Sequence, residues 1–166
     1  MVAGNVGCDI RKMIYENIAI IGDGGMGTVL ATLLCEKADA LTAQAEYSHK
    51  PQQKAVKTKI WGYDKAQLEQ IRRAGENRKF LPGYKIPRSL IFEPDDARIM
   101  VEADLIVSAV PCQFMRSVWT RLSDTVPAGA AIVSVAKGIE NGTLLRPTQI
   151  ISEVLGLEAG GGKTAG

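Results

Sequence analysis

Apolar residues in this chain come in short unbroken runs separated by stretches of helical spacing. Residues 17–22, Asn-Ile-Ala-Ile-Ile-Gly, are β-branched and almost wholly apolar, which predicts a strand buried on both faces. From 25 to about 37 the period changes, and Val29, Leu30, Leu33 and Leu34 fall on one helical face. A second strand is expected at 58–64. It is followed by a helix at 64–75, with Asp64 as N-cap and Gly75 as stop. A short strand at 89–93 precedes a helix at 95–103 that has acidic residues in its first turn. Residues 103–110 read as a central strand stopped by Pro111, and 112–124 as an amphipathic helix. A last strand at 130–137 and a last helix at 144–156, with Pro147 in its first turn, complete the series. Strand and helix alternate throughout. The pattern predicts an α/β protein built on a doubly wound parallel sheet with helices on both faces.

Two segments break this rhythm. Residues 38–57 lengthen a connection that usually takes two to six residues, and their Ala, Gln and Lys content with Pro51 predicts a helix extension followed by an exposed loop. Residues 157–166 have no apolar periodicity and are expected to be a flexible tail. Their Gly-Gly-Gly-Lys-Thr invites comparison with a phosphate-binding loop, but Leu157 stands where its first glycine must be, and neither the strand nor the helix it requires flanks it.

Composition narrows the function classes. The chain has 166 residues, 46% hydrophobic and 23% charged, with a net charge of +2. That is enough for one sizeable core and too little charge to point to nucleic acid or an anionic membrane. No run approaches the roughly 18 apolar residues of a membrane span, and the first residues lack the apolar stretch of a signal peptide. Cys8, Cys35 and Cys112 are odd in number without Cys-x-x-Cys spacing, so reduced thiols in the cytoplasm are expected and a zinc site is not. His49 is the single histidine and lies among Lys and Gln, which argues against a histidine-based metal site or a Ser-His-Asp triad.

Four glycines in six residues, 22–27, stand where the first strand passes into the first helix. Gly22-x-Gly24-x-x-Gly27 in that context fits a dinucleotide-binding turn. Gly22 permits the tight turn, Gly24 lets a pyrophosphate approach the backbone, and Gly27 lets helix and strand pack closely. The helix start then faces the anion. The alternative is a glycine-rich turn without a ligand. The acidic residue that usually holds the ribose lies about 20 residues further on; here Asp64 is the candidate, displaced by the 38–57 insertion.

Three later stretches, 77–87 (Asn-x-x-Phe-Leu-Pro-Gly), 102–116 (Val-Pro-x-Gln) and 134–156 (Lys-Gly-Ile-Glu), join the glycine loop and Trp-Gly-Tyr-Asp. Together and in order, over roughly residues 15 to 156, they resemble the N-terminal, cofactor-binding domain of NAD(P)-dependent sn-glycerol-3-phosphate dehydrogenase. The glycine motif alone would also fit ketopantoate reductases. The resemblance implies a Rossmann dinucleotide-binding fold over residues 1–156, with NAD as cofactor and NADP as the alternative.

By the same resemblance Gly25 and Met26 touch the pyrophosphate, where the family usually has Ser and an aromatic residue. Tyr63 stands where many members carry an arginine able to pair with a 2′-phosphate. Tyrosine cannot do so, which tilts the choice towards NAD unless Lys59 or Lys65 compensates; Tyr63 could otherwise be a half-buried aromatic at a strand end. Lys137, ending the fifth strand, is expected to reach the substrate and the nicotinamide ribose, or else to be a solvated charge. Phe80 is expected over the cofactor cleft or in the core. Val110 and Pro111 are expected to end the fourth strand beside the nicotinamide half, although Pro111 could serve only to stop the strand. Cys112 replaces a common serine, as a reactive thiol near a helix N-terminus or as a buried inert one.

The implied reaction moves a hydride between nicotinamide and dihydroxyacetone phosphate or sn-glycerol 3-phosphate, which supplies phospholipid synthesis. In the family the proton is handled by a second lysine on a helical C-terminal domain, and the resemblance leaves a homodimer open for the full-length enzymes. This chain stops at Gly166, where that domain would begin, so no catalytic residue is expected among these residues and the chain alone is expected to be inactive. It is read as part of such a dehydrogenase or as a stand-alone NAD(H)-binding module.

Overall fold

The first apolar run becomes the central strand of a five-stranded, all-parallel sheet. The computed structural model describes residues 15–48 and 56–157. In it β1 (Asn17–Ile21) lies between β2 (Lys57–Trp61) and β4 (Leu105–Ser108), with β3 (Ile91–Phe92) outside β2 and β5 (Ala131–Ser134) outside β4. Ile20 pairs with Ile60 on one side and Val107 on the other, and Val107 with Val133. The order β3-β2-β1-β4-β5 reverses direction between β1 and β4, which makes that junction the switch point of the sheet.

Alternate residues of the strands feed two cores. Ile18, Ile20, Ile60 and Val107 pack with Ala31 and Cys35 of α1 (Gly25–Ser48) and Leu68 of α2 (Lys65–Ala74). Ala19, Ile21, Trp61 and Ile106 pack with Ile99 of α3 (Asp96–Ile99), Met115, Val118 and Trp119 of α4 (Cys112–Leu122), and Ile150 and Ile151 of α5 (Pro147–Leu155). Helices therefore cover both faces, as the alternation predicts. The buried Trp119 indole donates to Ser108 Oγ at 3.0 Å, so its polar atom is satisfied inside the core.

Several local expectations hold. Asp64 caps α2 through Ala66 N–H (2.9 Å) and Gln67 N–H (3.2 Å), and Gly75 ends it in the left-handed region with φ 62°. Pro147 opens α5. The helix extension beyond residue 37 also forms, since α1 runs to Ser48. The loop expected after it falls largely at 49–55, outside the described residues. The flexible tail, apart from Leu157, lies outside them too, as do Cys8 and His49.

Others need correction. The buried stripe of α1 runs through Thr28, Ala31 and Cys35, and Leu33 is 55% exposed, because the helix crosses the sheet on its small-residue side. The strands are shorter than the apolar runs. β4 stops at Ser108, not at Val110 or Pro111, and β5 stops at Ser134, three residues before Lys137. Pairing, not hydrophobicity, sets those ends. The helix expected at 95–103 is a single turn, since the chain leaves it at Met100 and passes through Glu102 at φ 61°. The helix expected from 144 starts only at Pro147, after Leu144 at φ 58°.

Candidate functional site

At the carboxyl ends of β1, β2 and β4 the chain leaves a cleft of about 750 Å³. That falls within the range of small-molecule sites. Its walls include Gly22, Gly24, Gly25 and Met26 from the turn after β1, Tyr63 after β2, Phe80, and Val110 and Pro111 ahead of α4. The structure thus gathers at one place most of the residues singled out from the sequence. Gly27 and Lys137 are not among the lining residues.

The turn is built by close approach. Gly22 has φ 116°, and a Cβ there would lie 2.9 Å from the Ala109 carbonyl oxygen, so the residue has to be glycine. A Cβ on Gly27 would lie 1.9 Å from the Gly22 carbonyl oxygen, so α1 can seat against β1 only with glycine at that position. Gly24 is different. A Cβ there would meet nothing within 4 Å, so its bare backbone serves no packing purpose within the chain. The first intrahelical bond runs from Thr28 N–H to the Gly24 carbonyl at 2.9 Å. The N–H groups of Gly25, Met26 and Gly27 precede it, and the helix leaves them without partners of its own. An open glycine cradle at a helix N-terminus, facing a roomy cleft, fits the pyrophosphate of a dinucleotide.

Side chains not singled out from the sequence hold this turn. Asn77, fully buried, donates from Nδ2 to the Asp23 carbonyl (2.9 Å) and to Thr28 Oγ1 (2.8 Å), while its Oδ1 accepts from Phe80 N–H (3.2 Å). It ties the glycine loop to the Phe80 segment, whose carbonyl oxygen would lie 3.1 Å from a Cβ on Gly25. Phe80 itself is 46% exposed and belongs to the cleft, not to the core. The one sequence signal for Asn77 was its place in Asn-x-x-Phe-Leu-Pro-Gly.

Tyr63 is more exposed than a half-buried strand-end residue and packs edge-on to Trp61, with ring centroids 6.4 Å apart. Arg121 of α4 places its guanidinium 5.2 Å from the Tyr63 ring and 5.4 Å from the Trp61 ring. Asp96 grips that guanidinium and also accepts from Trp61 Nε1 at 3.0 Å. Burial works against the Asp96 carboxylate, but these donors outweigh it and hold its pKa below the ordinary value. Lys59 cannot substitute for a cation here, because its ammonium bonds the carbonyls of Arg98 and Val101. Lys65 does not line the cleft.

On the other side of the cleft Gln113 clamps the Lys-Gly-Ile-Glu loop to α4. Its Nε2 donates to the Ile139 carbonyl (2.8 Å) and its Oε1 accepts from Asn141 N–H (3.0 Å). Arg116 then holds Glu140 with both ends of its fork, at 2.8 to 3.2 Å. Lys137 is exposed on this loop. Cys112 is buried in the core cluster, which fits the inert thiol.

Asp23, within the glycine loop, is 9% exposed and lines the cleft. Gln67 Nε2 donates to its Oδ2 at 2.9 Å, with Asp64 and Lys79 as charged neighbours. Burial pushes the carboxyl above its ordinary value of 3.8. A raised folded-state pKa means that ionisation costs the fold stability as pH rises from that ordinary value through the raised one. Asp23→Asn should therefore raise the melting temperature at pH 7 and have little effect below pH 3.8, as thermal melts across pH would show.

A glycine turn feeding a helix at the switch point of a 3-2-1-4-5 parallel sheet defines a Rossmann-type domain. Residues 17–162 match the family described as NAD-dependent glycerol-3-phosphate dehydrogenase N-terminus. Similar curated proteins include glycerol-3-phosphate dehydrogenase [NAD(P)+] of Carboxydothermus hydrogenoformans, 35% identical over 83% of this chain and 36% of its own length. The enzyme of the same name from Geobacter sp. strain M21 is 34% identical over 84% and 37%. The glycerol-3-phosphate dehydrogenase structure from Saccharomyces cerevisiae superposes with a TM-score of 0.68 at 26% identity, over 85% of this chain and 39% of that one. This chain belongs to the NAD-dependent glycerol-3-phosphate dehydrogenase family and corresponds to its N-terminal part. It spans little more than a third of the length of the curated relatives it matches. Among the described residues no helix is long and apolar enough to cross a membrane.

Proposed function

We propose that this chain is the cofactor-holding part of a glycerol-3-phosphate dehydrogenase and binds NAD(H) in the cleft after β1, β2 and β4. The observation that carries the reading is the open cradle at Gly24, glycine with no packing need for it, set at the N-terminus of α1. In this reading Gly22, Gly24 and Gly27 shape the turn, and the N–H groups of Gly25 and Met26 receive the pyrophosphate. The adenosine lies towards Tyr63, the nicotinamide towards Val110 and Pro111, and Phe80 covers the middle of the cleft. Gln113 presents the loop carrying Lys137 to the substrate side. The chemistry supplied by a bound nicotinamide is hydride transfer with dihydroxyacetone phosphate or sn-glycerol 3-phosphate, and the enzyme's product would serve phospholipid synthesis in the cytoplasm.

Among the described residues lining the cleft the one ammonium is Lys79, which bonds Gln67 Oε1 at 3.1 Å on the α2 side, away from Pro111. Among the described residues no ammonium lines the nicotinamide side of the cleft, Lys137 included, and a general acid there typically contributes about 10² to 10⁴ in rate. The 166-residue chain should therefore bind NADH without reducing dihydroxyacetone phosphate. Fluorescence titration and an NADH-consumption assay test both halves. Absence of saturation by millimolar NADH would overturn the dinucleotide reading, and robust turnover would overturn this assignment of the site.

A further inference from the structure

In dinucleotide sites of this architecture a carboxylate at the end of the second strand accepts from the 2′-hydroxyl of the adenosine ribose, and its charge disfavours a 2′-phosphate. This chain has no carboxylate at that strand end. β2 finishes at Trp61 and is followed by Gly62 and Tyr63. Asp64 comes next, but its Oδ1 is taken by the N–H groups of Ala66 and Gln67 as the cap of α2.

A different carboxylate occupies the place. A Cβ on Gly62 would lie 2.5 Å from Cγ of Asp23 and 2.6 Å from its Oδ2. The side chain of Asp23 therefore crosses from the glycine loop and lies against the backbone at the end of β2, in space that exists because residue 62 has no side chain. An acidic residue inside a loop that faces phosphates is otherwise a poor choice, since like charges repel. Placed here it lies against the end of the neighbouring strand. Among the described residues Gln67 is the one side chain hydrogen-bonded to it, through Oδ2. The carboxylate lines the cleft and retains acceptor capacity.

Lys65, the cation nearest Asp64 in the chain, does not line the cleft, and two others nearby are engaged. Arg121 is held by Asp96, and Lys79 bonds Gln67. A ribose diol arriving between Gly62 and the glycine loop would find an acceptor, whereas a 2′-phosphate would find two carboxylates, those of Asp23 and Asp64.

We propose that Asp23 receives the hydroxyls of the adenosine ribose and is the residue that makes this chain select NAD(H) over NADP(H). The inference rests on the dinucleotide reading given above. It moves the selecting carboxylate from the end of β2 to the first variable position of the glycine loop.

The test is titration of the 166-residue chain and its Asp23→Ser, Asp23→Asn and Gly62→Ala variants with NADH and with NADPH, read by nucleotide fluorescence. Wild type should prefer NADH by about tenfold or more, the worth of a hydrogen bond to a charged acceptor. Asp23→Ser and Asp23→Asn should bring the two affinities within about threefold of each other, mainly by weakening NADH. Gly62→Ala keeps every charge but drives a methyl into the carboxylate, and it too should shrink the preference. Apo melting curves confirm that the variants fold. Saturating NADH binding with an unchanged preference in both Asp23 variants overturns the assignment to Asp23 alone, as does a wild-type preference for NADPH. If wild type binds neither nucleotide, the dinucleotide reading falls and this inference falls with it.

Discussion

Gly24→Val is expected to leave the chain folded and to abolish NADH binding. In most glycine loops such a variant is ambiguous, because the glycine serves both the fold and the ligand. Here the two roles are separated by position. A Cβ on Gly24 meets nothing within 4 Å, so valine encounters open cleft and not protein. Its structural cost is that of a poor residue at the helix N-cap, about 1 kcal/mol. The branched side chain fills the space through which phosphate oxygens approach the N–H groups of Gly25 and Met26. Loss of two charge-assisted hydrogen bonds, at about 1.5 to 3 kcal/mol each, corresponds to roughly 10² to 10⁴ in affinity. Far-UV circular dichroism should match wild type and the melting temperature should fall by only about 2 to 4 °C, while the fluorescence titration shows no saturation. A folded variant that binds NADH like wild type would remove Gly24 from the site.

Gly27→Ala should do the reverse and damage the fold itself. The added methyl would sit 1.9 Å from the Gly22 carbonyl oxygen and 3.4 Å from Ala109 Cβ, and the first of these is backbone that cannot rotate away. Relief requires α1 to lift from β1, which opens the core at Thr28, Ala31 and Cys35. Overpacking of this kind costs about 3 kcal/mol or more. For a chain of this size that is a fall of roughly 10 °C in melting temperature. A melt within a degree or two of wild type would mean that helix and strand are not in the contact described.

Most of the fold could be read from the sequence because its strands are continuous apolar runs and its helices carry recognisable signals. Asp64, Gly75 and Pro147 each mark a helix boundary through local chemistry alone. What could not be read depended on pairing partners. Val110 and Lys137 belong to apolar runs that continue past the last paired residue, so hydrophobicity placed them in strands that end at Ser108 and Ser134. The cleft was legible to the extent that its residues sit in motifs, as Gly22, Tyr63, Phe80 and Pro111 do. Asp23, Gln67 and Asn77 escaped notice because their meaning lies in contacts 44 and 54 residues apart along the chain. Asp23 carried a signal that could have been used: a negative charge in a phosphate-facing loop demands an explanation.

Because β1 is central and precedes the other described strands, synthesis delivers it before its neighbours. β2 can cover one edge once it has left the ribosome, but the other edge waits for β4, and the glycine turn waits for Ala109 and Val110 to close its far side. A nascent chain ending before residue 111 thus exposes a flat apolar strand edge, the kind that recruits other chains. A nucleotide can give no help during that interval, since mass action stabilises only a state that already has the site. Cofactor supply should therefore govern how long this folded unit survives once formed, and have little influence on how many copies reach that state.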